Sequence, residues 1–170
     1  MKTRRLGKTG LMVSEIGFGG EWLERHPEEE GIELIHYASS FGINILDCWM
    51  ADPKSRDIIG KGIKENRSNW FIQGHIGSTW KDEQYFRTRD MKYVRPAFED
   101  LLKRLQTDYI DLGMIHYVDS EEEWEQIQHS DYLDYVMELK NSGVIRHIGI
   151  SSHNPKDVIK AAGSGYVEMI

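Results

Sequence analysis

Stretches patterned as strands alternate with stretches patterned as helices, one pair about every 25 to 35 residues, and that rhythm points to βαβ units around a parallel sheet. Ile16–Gly19, Ile43–Asp47, Trp70–Ile76, Ile110–Tyr117 and Ile145–Ser151 are apolar runs of strand length, and Val167–Ile170 begins another. Helical patterns lie between them. Glu28–Ser40 carries Ile32, Leu34, Ile35 and Ala38 at helical spacing and closes at Gly42, while Ser55–Asn66 sets Ile58, Ile59 and Ile63 on one face. Arg89–Gln106 has the clearest period, through Val94, Phe98, Leu101, Leu102 and Leu105, with Pro96 marking a start or a kink. Asp131–Asn141 closes at Gly143, and Asn154 caps Pro155–Ala162. Ahead of these, Thr3–Leu6 and Leu11–Ser14 flank a turn at Lys8-Thr9-Gly10 and read as a hairpin.

Two architectures satisfy this alternation: a doubly wound open sheet and a (β/α) barrel. Gly17-Phe18-Gly19-Gly20 follows a strand but does not match G-x-G-x-x-G, so the dinucleotide fingerprint of the open sheet is absent. A hairpin ahead of the first strand suits a plug at the bottom of a barrel, which favours the second. No composition break or Pro-rich linker divides residues 1–170, so they read as a single domain. With 39% hydrophobic and 29% charged residues the chain has the makings of a packed core, and it has no run of about 18 apolar residues to span a membrane. A net charge of −7 argues against a nucleic-acid surface, because phosphates call for clustered Lys and Arg. A lone cysteine, Cys48, and a basic N-terminus without an apolar stretch suit a reducing cytoplasm.

In barrels of parallel strands the chemistry gathers at the C-terminal strand ends. Those ends carry Asp47, His75, His116 and the run Ser151-Ser152-His153-Asn154. Any one histidine at such a place is more often a hydrogen-bonded structural residue than a catalyst. Three histidines and a carboxylate at one mouth fit proton chemistry near neutral pH. They also leave open a metal-dependent lyase or hydrolase using Asp47, His75, His116 and His153, although no HExxH or paired-cysteine spacing supports a metal and none is expected. The scattered tryptophans read as packed in the core or under loops, the acidic runs at Glu28–Glu30 and Glu121–Glu125 as solvated helix starts, and Cys48 as a buried inert thiol.

Several segments, taken together, resemble the aldo-keto reductase family. They are Arg5-Leu6-Gly7-Lys8-Thr9-Gly10-Leu11 with Val13-Ser14, Ile16-Gly17-Phe18-Gly19, Gly42-Ile43-Asn44 leading to Asp47, Ile59-Gly60-Lys61, Leu105 to Asp111 leading to His116, and Gly143-Val144-Ile145-Arg146 to Gly149-Ile150-Ser151. The run ending at His116 is the most specific. The resemblance implies a (β/α)8 TIM barrel that reduces a small carbonyl substrate with NADP(H). It implies a tyrosine acid assisted by a lysine, an aspartate and a histidine; the aspartate falls on Asp47 and the histidine on His116. At the tyrosine's position the chain has Asp52, and at the lysine's it has His75. Ser151 matches a position that contacts the nicotinamide amide, and Ser152 stands where the following asparagine is expected. The pattern is closest to a divergent bacterial branch whose members often carry a cysteine-rich, ferredoxin-like C-terminal domain; with Cys48 as the single cysteine, no such cysteine cluster is expected within residues 1–170.

These readings lead to one expectation. The chain is an oxidoreductase of this type built from about five βα units and the start of a sixth strand, against about 250 residues for a whole barrel. The expected catalytic residues are Asp47, His75 and His116, with Ser151 and Ser152 toward the cofactor. A degenerate barrel kept as a binding module is the other alternative. Tyr85 and Tyr117 lie near strand ends but off the family's tyrosine spacing, so neither is assigned a role. The open barrel edges are expected to meet the remainder of a longer barrel, a partner chain or a second copy.

Overall fold

The computed structural model describes residues 1–170, apart from the side chain of Asp157. Two short strands, β1 (Thr3–Arg5) and β2 (Met12–Ser14), pair antiparallel as the expected hairpin. Five parallel strands follow in the spatial order β3 (Phe18–Gly19), β4 (Ile45–Cys48), β5 (Phe71–Ile76), β8 (Ile110–Ile115) and β9 (Ile145–Ile150). A second hairpin, β6 (Ser78–Lys81) with β7 (Gln84–Arg87), stands apart from that sheet. The helices are α1 (Glu28–Ser40), α2 (Pro53–Ile63), α3 (Met91–Leu105), α4 (Glu121–Gln128), α5 (Asp131–Asn141) and α6 (Pro155–Gly163). None is long and apolar enough to cross a membrane among the described residues.

Local chemistry explains where the elements begin. Asp52, Asp90, Ser120, Ser130 and Asn154 each accept a hydrogen bond from a backbone N–H in the first turn of the following helix, satisfying a donor the helix cannot. Pro53 and Pro155 occupy the first helical turn, where no N–H is needed. Pro96 neither starts nor ends α3, which runs through it from the Asp90 cap. The helix expected over Ser55–Asn66 instead begins at Pro53 and tightens into a 3-10 turn over Lys64–Asn69. The strand expected from Ile43 starts at Ile45, because the Asn44 backbone N–H donates to Ser14 Oγ at 3.1 Å; its side chain also ties to the hairpin, Oδ1 accepting from Ser14 N–H at 2.7 Å and Nδ2 donating to Met12 O at 3.0 Å. At the far edge, Val167–Ile170 forms no strand; a single parallel bridge joins Met169 to Gly149.

Strand alternation divides the buried residues into two layers. Leu46, Cys48, Ile72, Ile76, Ile110, Ile115 and Ile148 join helix residues such as Ile35, Ile58, Val94, Phe98, Leu101, Tyr132 and Val136 in the larger core. Leu112, Met114 and Met169 pack with Ile45 and with Leu6 and Leu11 of the first hairpin in a smaller cluster. The hairpin thus closes the floor on the sheet face away from the helices, as a barrel requires.

Helices α2 and α3 approach closely at Gly60, where a Cβ would collide with the backbone carbonyl of Arg104. Because backbone on both sides is fixed by the helices, Gly60→Ala is expected to destabilise the fold by about 2–3 kcal/mol despite alanine's better helix propensity. A shift of the urea midpoint downward checks this; an unchanged or higher midpoint would show that the helices can part freely.

Candidate functional site

The strand pattern delivers its polar residues to one place. In the β4–β5 pair, Asp47 lies in register with Gln73, and His75 follows two residues on, on the same face of β5. His116 comes directly after the last residue of β8, and its backbone N–H donates to Ile76 O at 3.1 Å. The structure brings together all three residues expected to be catalytic. His75 Nε2 lies 3.1 Å from Asp47 Oδ1, and His75 Nδ1 lies 2.8 Å from His116 Nδ1. Gln73 Nε2 also donates to Asp47 Oδ1, at 3.0 Å. His75 and His116 are 6% and 4% exposed, while Asp47 opens partly to a cavity of about 680 Å³ at the C-terminal strand ends.

That cavity is bounded by Trp49, Tyr85, Tyr117, Ser151 and His153 among others. The Trp49 ring stacks on His116 with 5.9 Å between centroids, and its Nε1 donates to Glu21 Oε2 at 3.2 Å. Burial, followed by the charge of His75 and of the Arg89 and Arg87 guanidiniums, holds the His116 imidazole down to about 2, so the ring is neutral near pH 7. Burial raises the Tyr85 phenol above its ordinary value, so it keeps its proton. Cys48 is buried behind the strand, and burial pushes its thiol up to about 12, in keeping with an inert residue.

Other expected residues sit differently. His153 stands outside the cluster: it is exposed and packs edge-on against the Tyr117 ring at 4.8 Å. Asp47, His75 and His116 direct their donor atoms at one another rather than at a shared point, and among the described residues no group of three or more His, Cys, Asp or Glu is placed to hold a metal ion. Ser151 Oγ accepts from Tyr117 N–H at 2.8 Å, which leaves its own hydroxyl proton free to donate into the cavity. Ser152 Oγ accepts from Asn154 N–H at 2.9 Å and so helps to open α6. Asp52 uses Oδ1 to cap α2 through Ser55 N–H at 2.9 Å.

Cavity residues such as Gln73 and Trp49 escape a reading of strand ends, and Tyr85, noted there without a role, lines the cavity as well. Gln73 was legible as the residue two before His75 on the same strand face. Tyr85 lies on the β6–β7 hairpin, and its hydroxyl is 2.6 Å from His116 Nε2. The alternating Thr79, Trp80, Tyr85 and Phe86 hint at such a hairpin. Its turn residues Asp82 and Glu83, at φ 49° and 60°, carry none of the glycine that usually marks left-handed backbone.

A family model described as the aldo/keto reductase family matches residues 15–169. The uncharacterized oxidoreductase YqkF of Bacillus subtilis is 32% identical over 164 residues, which cover 94% of this chain and 51% of that protein. The aldo-keto reductase YhdN of the same organism is 33% identical over 161 residues, or 89% of this chain and 47% of the relative. Among solved structures, the holo form of aldo-keto reductase AKR11C1 from Bacillus halodurans superposes with a TM-score of 0.82 at 29% identity, covering 100% of this chain and 56% of that one. The chain spans about half the length of the curated relatives it matches. Its five parallel strands, hairpin floor and polar mouth are those of a partial (β/α)8 barrel, and the chain belongs to the aldo-keto reductase family.

Proposed function

We propose that this chain carries the acid side of an NADPH-dependent oxidoreductase that reduces a small carbonyl compound. One observation carries the reading: Asp47, His75 and His116 form a hydrogen-bonded series that opens on a cavity at the C-terminal strand ends of an aldo-keto reductase barrel. A nicotinamide cofactor, when bound, supplies the hydride. The residues present fit its carboxamide end: Ser151 has a hydroxyl proton to donate, and Trp49, Tyr85 and Tyr117 offer aromatic walls for a planar ring. Ser152, with its hydroxyl turned to α6, contributes shape rather than a hydrogen bond. In a family whose members are about twice this length, we assign the cofactor's adenosine and phosphates to the half of the barrel outside these residues.

His75 and His116 then have distinct tasks. His75, bonded to both Asp47 and His116, links the carboxylate to the mouth of the site. His116, neutral and buried, orients what lies beyond its Nε2. In this reading the family's tyrosine position is taken by Asp52, whose carboxylate caps a helix, and the lysine position by His75. The test is a single turnover of NADPH by the full-length protein with para-nitrobenzaldehyde, phenylglyoxal and glyceraldehyde. His75→Ala and His116→Ala are each expected to slow the decay of NADPH absorbance by about 100-fold or more. Unchanged rates in both variants would sink the assignment of these residues.

A further inference from the structure

We propose that Tyr85 is the proton donor of this site, and that it is reloaded through His116 and His75 from the pair that His75 makes with Asp47. The proposal rests on the reductase reading and supplies the acid that Asp52 does not. Four groups stand in one series: Tyr85 Oη to His116 Nε2 at 2.6 Å, His116 Nδ1 to His75 Nδ1 at 2.8 Å, and His75 Nε2 to Asp47 Oδ1 at 3.1 Å. One end is the Asp47 carboxylate, itself partly open to the cavity, and the other is a phenol, 37% exposed, on the cavity wall. Tyr117, the other tyrosine there, has its ring held between Arg87 and His153 and takes no place in the series.

The hairpin that carries Tyr85 is tied across the mouth. Ser78 Oγ donates to Trp49 O at 2.6 Å, and Arg87 Nη1 donates to Tyr117 O at 2.7 Å. The Trp49 ring meets the Tyr85 ring edge-on at 5.3 Å and also stacks on His116, so one indole sets both partners of the 2.6 Å bond. The hydroxyl is therefore placed by the surrounding structure, as a proton donor must be.

Hydrogen-bonding capacity allows the series two polarities, one for a loaded state and one for a discharged state. In the loaded state His75 carries two protons: Nε2–H donates to the Asp47 carboxylate and Nδ1–H to His116 Nδ1. His116 then holds its single proton on Nε2 and donates to the Tyr85 oxygen, which leaves the phenolic O–H to point at substrate. The carbonyl carbon accepts a hydride from reduced nicotinamide, the carbon–oxygen π pair moves onto oxygen, and that oxygen takes the Tyr85 proton. The phenolate takes Nε2–H from His116, and His116 takes Nδ1–H from His75. The discharged state has a neutral His75 still bonded to Asp47, and every hydrogen bond between His75 and Tyr85 is reversed. One hydride and one proton convert the carbonyl to an alcohol, and solvent later returns a proton to His75. Because His116 stays neutral, it passes the proton by exchanging tautomers and holds no charge.

The experiment compares the wild type, Tyr85→Phe, His116→Ala and the double variant in the same full-length single-turnover assay. Tyr85→Phe removes one oxygen and keeps the ring on Trp49. It is expected to lower the rate by about 100-fold or more with the KM for NADPH unchanged, and the double variant is expected to be no slower than the slower single one. Losses that multiply in the double variant would show Tyr85 acting independently of His116 and would overturn the relay. A Tyr85→Phe rate within threefold of wild type would overturn Tyr85 as the acid and leave the reductase reading standing. A wild type that oxidises no NADPH with any of the three carbonyls would overturn the reductase reading, and the acid's role with it.

Discussion

Asp111→Ala is expected to remove about 2–4 kcal/mol of unfolding free energy, because it strips the counter-charge from the partly buried Arg67 and the acceptor from the Ile72 N–H. Asp111 is 1% exposed near the start of β8. Its Oδ2 accepts from Arg67 Nη2 and from the backbone N–H of Ile72, both at 3.0 Å, and its Oδ1 accepts from Arg146 Nη1 at 3.2 Å. One carboxylate therefore joins the turn before β5, the first residues of β5 itself and strand β9. Arg67 would keep its bonds to Trp70 O and Tyr109 O, which hold the guanidinium in place without neutralising it. Asp111→Asn retains an acceptor for Ile72 N–H and is expected to lose about 1 kcal/mol less than alanine. Urea unfolding with an unchanged slope is the measurement. A loss under about 1 kcal/mol for the alanine variant would mean that water reaches Arg67.

Acid is expected to weaken the fold through His116. Its imidazole is held at about 2 in the folded chain, chiefly by burial, against an ordinary value near 6.5 when unfolded. Above pH 6.5 neither state binds the proton and the group favours neither. Below it the unfolded chain binds a proton that the folded one refuses, so stability falls with pH at a limiting slope of about 1.4 kcal/mol per unit, down toward the folded value. Between pH 6.5 and 4.5 this amounts to about 2–3 kcal/mol. Carboxylate titrations are common to the wild type and His116→Gln, so the difference between their stability curves isolates the histidine. The wild-type curve is expected to fall more steeply by close to one proton over that range. Parallel curves would mean that His116 is protonated readily in the folded state.

Much of this architecture could be read along the chain. Apolar runs of strand length and amphipathic periods of helix length depend on neighbouring residues alone, so the five parallel strands and α1, α3 and α5 stood where their patterns lay. Asp47, His75 and His116 were legible for the same reason: each ends an apolar run, and the ends of parallel strands share one rim. The misplaced boundaries have non-local causes. Asn44 looks like strand, yet it bonds to Ser14 across 30 residues. Val167–Ile170 has strand composition but forms only a single bridge, Met169 to Gly149, along the β9 edge, and a single bridge does not make a ladder.

The hairpin over Ser78–Arg87 escaped because its turn uses Asp82 and Glu83 in left-handed backbone, a conformation that the surrounding structure must enforce against their preference. With it went the role of Tyr85, whose partner His116 is 31 residues away. Residue order and local pattern thus pointed to a parallel α/β sheet and to the three polar residues at the rim, while the choice of a barrel rested on the first hairpin and the family resemblance. Folding in three dimensions decided that His75 and His116 face each other at 2.8 Å, that Asp52 caps a helix, and that a tyrosine from an unsuspected hairpin reaches the end of the series. Period and propensity act over a few residues, whereas a hydrogen bond needs two atoms within about 3 Å, and only the closed packing of sheet, helices and hairpin brings distant residues that near.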